Sequence, residues 1–206
     1  MRADRTLPPD WFEAQFAANP DPWGFETSAY EHAKYAETLA ALGGRTYARG
    51  LEVGCANGVL TARLAPLCAD LLAIDVAESA LARARARCAD APNVRFLRTS
   101  FPATCPDQPG LDLVLLSEVA YYWDADDLGR AAAWLARNLK PGGDLLLVHW
   151  TGPTNYPHSA DAAVGILHDA LAGQVEPVHA SRHPAYRLDL WRRSAAGSSG
   201  HGSGVV

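Results

Sequence analysis

The feature that most constrains this chain is how its apolar residues are grouped. Seven short runs, at 50–54 (GLEVG), 71–76 (LLAIDV), 94–98 (VRFLR), 111–117 (LDLVLLS), 144–150 (DLLLVHW), 175–180 (VEPVHA) and 186–191 (YRLDLW), punctuate segments of helical spacing. Helices are expected at 58–68, 78–89, 125–139 and about 160–172, after two N-terminal helices at 11–19 and 27–42. Thr27 and Ser28 are cap candidates for the second of these and Gly43-Gly44 its stop. Near-continuous apolar strands alternating with helices require a parallel sheet covered on both faces. The last two runs are close enough to form an antiparallel hairpin. The expected fold is a three-layer, doubly wound, mostly parallel seven-stranded α/β sheet ending in a C-terminal antiparallel hairpin.

A chain of 206 residues, 49% hydrophobic, suits one domain with one sizeable core. Its formal net charge of -5, without a basic stretch, argues against nucleic acid or an anionic membrane as partner. No run approaches the ~18 apolar residues of a membrane span. The start, MRADRTLPPDW, has charge but no apolar stretch behind it, so a cytoplasmic protein is expected. Cys55, Cys68, Cys88 and Cys105 are widely spaced with no CxxC, which argues against a disulfide scaffold and a structural zinc, so no metal is expected. The expected organisation is a single domain over 1–193, with a helical N-terminal section at about 9–44 and a flexible Gly/Ser/Ala tail at 194–206.

Four constellations carry chemistry. The segment LEVGCANG (51–58) lies where a strand passes into a helix, where open parallel sheets bind ligands. Glycines there permit positive φ and close backbone approach, but the dinucleotide fingerprint G-x-G-x-x-G is absent. Glu52, two residues before Gly54, would repel a pyrophosphate and suit a cation. The alternative is a tight turn with no ligand. Asp75 ends the second strand about twenty residues beyond the loop, placed for ribose hydroxyls, or else to cap the helix from Glu78. Thr99, Ser100 and Phe101 follow the third strand and suit an adenine ring, or a polar turn. Ser117-Glu118-Val119-Ala120-Tyr121-Tyr122-Trp123 follows the fourth, so Glu118 should share the crevice of Glu52 and Asp75. His149 and Trp150 end the fifth strand beside them; a lone His is often structural.

At these residues the chain resembles class I S-adenosylmethionine-dependent methyltransferases: LEVGCANG is the glycine-loop motif, LLAID the ribose motif, LDLVLLSE the fourth-strand motif and LKPGGDLLLV the approach to strand five. Within the class it is most similar to the NodS-like branch of nodulation N-methyltransferases. That likeness rests on Asp21-Pro22-Trp23 with Ser28-x-Tyr30-Glu31, on LEVGC joined to LTARLAPLC and AIDV, and on SEVAYYW. It covers roughly residues 20–150. Two departures stand out: Ala56 and Asn57 occupy positions where many members carry Gly, and Thr99-Ser100 replaces an acidic residue common in the class.

The resemblance implies S-adenosyl-L-methionine as cofactor, which has a sulfonium and an ammonium but no phosphate. It would be held by Trp23, Tyr30, Glu52, Gly54, Cys55, Ala56, Gly58, Asp75, Val76, Thr99, Ser100, Phe101 and Glu118, with Trp23 and Tyr30 in an N-terminal lid. Glu118, His149 and Tyr122 are the catalytic candidates, the first two to orient or deprotonate the acceptor. Tyr121, Tyr122 and Trp150 would pack against it. The implied reaction is methyl transfer to a small acceptor, an amino-sugar amine or a related compound. A small-molecule O-methyltransferase and a non-catalytic cofactor-binding module are the alternatives. Oligomeric state is not legible.

Overall fold

The computed structural model describes residues 2–105 and 107–195; most of the expected tail, 196–206, lies outside them. Two helices, α1 (Pro9–Ala18) and α2 (Ala29–Ala40), precede β1 (Tyr47–Val53), α3 (Val59–Leu64), β2 (Cys68–Asp75), α4 (Glu78–Arg87) and β3 (Val94–Arg98). Then come β4 (Leu111–Ser117), α5 (Ala125–Asn138), β5 (Leu139–Trp150), α6 (Ala160–Ala170), β6 (Val175–Arg182) and β7 (Tyr186–Arg193). The seven strands form one sheet in the order β3-β2-β1-β4-β5-β7-β6. Only β7 runs against its neighbours, pairing antiparallel with both β5 and β6. The expected architecture is therefore present, with β7 inserted between β5 and the edge strand.

Alternation along the central strands shows why both faces are covered. Val114, Leu116, Leu145 and Leu147 face one layer, with Leu128 and Leu135 of α5 and Val164 and Leu167 of α6. Leu113, Leu115, Leu146 and Val148 face the other, with Tyr35 of α2 and Leu60 and Leu64 of α3. Asp124 caps α5 through Asp127 N at 3.0 Å, and Ser28 caps α2 as expected, through Glu31 N at 3.4 Å.

Most element boundaries move by one to three residues from the sequence reading, and two move further. The helix expected to reach residue 68 stops at Leu64 and continues as a 3₁₀ turn over 65–67, because Pro66 has no N–H to extend the α ladder. Strand β2 therefore starts at Cys68. Strand β5 starts at Leu139, before the Pro141-Gly142-Gly143 break that was expected to precede it; the register slips between Leu111 and Leu113 where that segment joins β4.

The two ends of the sheet are chemically distinct. At the N-terminal end of β5, fully buried Asp144 accepts from Arg45 (2.6 Å), Tyr47 (2.7 Å) and Arg192 (2.8 Å). Three donors hold that carboxylate in place. At the opposite end the strand order reverses between β1 and β4, and their C-terminal ends part to leave a crevice.

Candidate functional site

The crevice is a cavity of about 460 Å³, closed on one side by α1 and α2. The N-terminal segment is tied down there: Leu7 N donates to Tyr122 O (3.0 Å), and Phe12 meets Tyr122 edge-on at 4.9 Å.

The glycine loop is shaped by its backbone. Gly54 N and Cys55 N both donate to Ile74 O, at 2.8 and 3.0 Å, turning the chain sharply across the end of β2. Gly54 (φ +76°) lines the cavity, and a Cβ there would overlap the Val119 side chain. Ala56 also has positive φ (48°), a strained conformation for a residue with a Cβ. Asp75 holds it there: Oδ2 accepts from Ala56 N and Oδ1 from Ala77 N, both at 2.9 Å. Burial raises the Asp75 carboxyl from its ordinary value, against the lowering by those N–H groups. Asn57, the other departure from the class pattern, donates to Asp21 Oδ1 (3.3 Å) and Glu26 Oε1 (3.1 Å). Asp21 in turn accepts from Phe25 N and Glu26 N. The Asp21-Pro22-Trp23 turn is thus fastened to the loop, and it sets Trp23 against Phe16 at 5.3 Å.

Gly58 serves the fold rather than the cavity. At φ +80° its hypothetical Cβ would lie 2.8 Å from Ala84 Cα, in the backbone of α4. Gly58→Ala is expected to cost about 2 kcal/mol of stability from strain and overpacking, measured as a lower urea midpoint. An unchanged midpoint would contradict this close approach.

Glu118 follows β4 in the left-handed region (φ 60°) and turns its carboxylate into a dense network. Oε1 accepts from Lys34 Nζ of α2 at 2.6 Å; Oε2 accepts from Tyr121 OH at 2.5 Å and Trp150 N at 2.8 Å. Lys34 is 2% exposed and also reaches Glu31, 3.1 Å from Oε1. This buried ammonium between two carboxylates was not anticipated from the sequence. Its one available signal is that Lys34 is among only two lysines of the chain and lies one helical turn beyond Glu31.

Of the expected site residues, Trp23, Tyr30, Gly54, Ala56, Asp75, Val76, Thr99, Ser100, Phe101, Glu118, Tyr121, Tyr122 and Trp150 all line the cavity. Glu52, Cys55, Gly58 and His149 do not. Glu52 is 1% exposed and faces a small void of about 30 Å³ behind the glycine loop, beside Asn57 and Cys55; burial pushes its carboxyl up to about 8. Cys55 is buried against Ala73 and Leu81. His149 has no exposed surface; its Nε2 accepts from Ala120 N at 3.1 Å, and burial lowers it to about 4, so it stays neutral. It braces the loop after β4. Tyr122, pushed well above its ordinary value by burial, stays protonated and can donate but not remove a proton. Cavity residues not among the expected site residues include Glu31, named only as part of a motif, and Lys34, Phe12 and Tyr156, whose ring stacks on Tyr121 at 5.4 Å.

Comparison with known proteins places this geometry. The family profile described as Nodulation protein S (NodS) matches residues 10–149. The chain belongs to the NodS family. It is 34% identical over 131 residues to Nodulation protein S of Rhizobium tropici, an alignment covering 63% of this chain and 55% of that relative. The Nodulation protein S of Bradyrhizobium diazoefficiens is 34% identical over 128 residues, 61% of each chain. The chain therefore spans little more than half the length of these relatives. The crystal structure of N-methyltransferase NodS from Bradyrhizobium japonicum WM9 in complex with S-adenosyl-L-homocysteine superposes with a TM-score of 0.79 at 25% identity, covering 90% of this chain and 98% of that one. The NodS-family match includes the glycine loop, Asp75 and the Glu118 segment, and stops at His149.

The donor set fits the cofactor implied by class I methyltransferase membership. Among the described residues, the charged side chains lining the cavity are Glu31, Asp75 and Glu118 against Lys34 alone, with no arginine. Three carboxylates and one ammonium favour a cationic ligand and disfavour a pyrophosphate.

Proposed function

We propose that this chain is an S-adenosylmethionine-dependent methyltransferase that methylates the amine of a small acceptor, an amino sugar or a related compound. The observation that carries this reading is the anionic, phosphate-averse lining of a cavity at the C-terminal edge of a NodS-family sheet. Asp75 is placed for the ribose hydroxyls, Thr99, Ser100 and Phe101 for the adenine. The open backbone at Gly54 and Ala56 is placed for the methionine portion. Trp23 and Tyr30, in the 9–44 section, cover the cofactor as a lid. The sulfonium supplies the activated methyl group.

The protein's remaining task is to position the acceptor's lone pair in line and exclude water, where most of the acceleration of a displacement arises. Tyr121, Tyr122 and Trp150 wall the acceptor side, their faces suited to a ring or a cation. Glu118, held by three donors, orients a donor of the acceptor with its remaining lone-pair capacity.

Glu118→Gln tests the assignment. The expected result is a turnover loss of tenfold or more with S-adenosylhomocysteine affinity changed by less than threefold, measured by calorimetry and product release. The reverse order would move Glu118 to the cofactor. A higher affinity for NADH than for S-adenosylmethionine would contradict the reading altogether.

A further inference from the structure

The two groups the sequence favoured for handling the acceptor's proton are both occupied. Glu118 already accepts from Lys34, Tyr121 and the Trp150 N–H. His149 lies behind the cavity wall with Nε2 committed to Ala120 N. A third side chain is less committed. Glu31, in the first turn of α2, lines the same cavity and is 7% exposed. Lys34 Nζ pairs with both its oxygens, 3.1 Å from Oε1 and 3.0 Å from Oε2, and Tyr35 adds a hydrogen bond to the carboxylate. With one ammonium and one phenol as its donors, against three donors on Glu118, the Glu31 carboxylate keeps lone-pair capacity for an incoming ammonium.

Resting on the amine reading above, we propose that Glu31 is the residue that binds the acceptor's amino group and takes its proton. The acceptor's ammonium passes one proton to Glu31, which becomes the neutral acid. The freed nitrogen lone pair forms the N–C bond to the methyl carbon as the C–S bond breaks, its electron pair remaining on sulfur. The product leaves as the methylated ammonium, and Glu31 returns its proton to water. Charge is conserved: the sulfonium's positive charge is lost as Glu31's negative charge is neutralised.

The groups facing Glu31 set its basicity. Burial raises the Glu31 carboxyl above its ordinary value, Glu118 across the cavity adds to the rise, and Lys34 on its own helix opposes it, with a minor lowering by Tyr35. Tyr30, also on α2, is a neutral phenol raised by burial and by both carboxylates. A carboxyl raised in this way is a better proton acceptor near neutral pH than an ordinary surface carboxylate.

The test uses the full chain with S-adenosylmethionine and a panel of primary amines, D-glucosamine first, beside their hydroxyl counterparts. Glu31→Gln is expected to lower kcat/KM for the amine at least hundredfold and to flatten the acid limb of its pH profile. Glu31→Asp should restore part of the rate. Affinity for S-adenosylhomocysteine, read by calorimetry, should stay within threefold in both variants, which reports that the site is folded. Glu31→Gln turning over the amine within threefold of the unaltered chain, with the acid limb intact, would overturn the inference. An unaltered chain that binds S-adenosylhomocysteine yet methylates only hydroxyl acceptors overturns the amine reading itself, and is seen before any variant is made.

Discussion

Asp75→Ala is expected to weaken binding of S-adenosylmethionine and S-adenosylhomocysteine at least tenfold, a loss of about 1.4 kcal/mol or more. Two effects add. The acceptor proposed for a ribose hydroxyl disappears, and the N–H groups of Ala56 and Ala77 lose their partner. Ala56 is left at positive φ without the bond that compensates its strain, so the glycine loop loses the shape that lets a ligand approach. Each buried N–H left unsatisfied costs roughly 1–3 kcal/mol, so stability should fall as well. Asp75→Asn separates the two effects, because one amide oxygen can keep one N–H satisfied. Calorimetric titration of both variants against S-adenosylhomocysteine makes the measurement. Unchanged affinity in Asp75→Ala would mean that Asp75 serves only the β2–α4 turn.

Glu52→Gln is expected to make the protein more stable at neutral pH. Burial lifts the Glu52 carboxyl from 4.5 to about 8 in the folded state, with Asp75 adding to the rise and Thr61 opposing it. For an acid raised on folding, the stability present below the unfolded value of 4.5 is lost as pH climbs through the window to about 8. A glutamine has no proton to lose, so the variant escapes that loss. The two proteins should have similar stability below pH 4.5 and diverge above it, by on the order of 3 kcal/mol at pH 7 in favour of the variant. Urea denaturation across the pH range provides the comparison. A difference that does not grow with pH would show that Glu52 is not held protonated behind the loop.

Glu52 also marks where sequence reasoning stopped. The positions of Asp75, Gly54 and Glu118 are legible because strand ends in an open parallel sheet share one crevice, and local pattern fixes where strands end. Side-chain direction at the last strand residues is not local. Glu52 was expected to supply the anionic wall, but it turns behind the loop to Thr61 and the small void, and the wall is completed by Glu31 from α2. That helix precedes β1 and packs across the crevice with Tyr35 in the core under β4 and β5 and Lys34 on Glu118, contacts that no local pattern announces. His149 failed as a candidate for a simpler reason. Along β5 the alternation sends its ring into the interior and Trp150 to the cavity, a difference of one residue. The layered sheet and its closing hairpin were legible, since they depend on periodicity and turns; the insertion of β7 between β5 and β6 does not follow from either. The largest boundary shifts came at the end of α3, where Pro66 breaks the α ladder, and at the start of β5, where Leu139 pairs with Leu111 ahead of Pro141.

The most direct test of the central claim, that this cavity holds S-adenosylmethionine, is a thermal shift with S-adenosylmethionine, S-adenosylhomocysteine and NADH in parallel. A ligand bound only by the folded state at a hundredfold excess over Kd stabilises by about 2.7 kcal/mol. For a chain of this size that raises Tm by roughly 5–10 °C. That rise is expected with the first two ligands and none with NADH. A rise with NADH alone, or with none of the three, would contradict the claim.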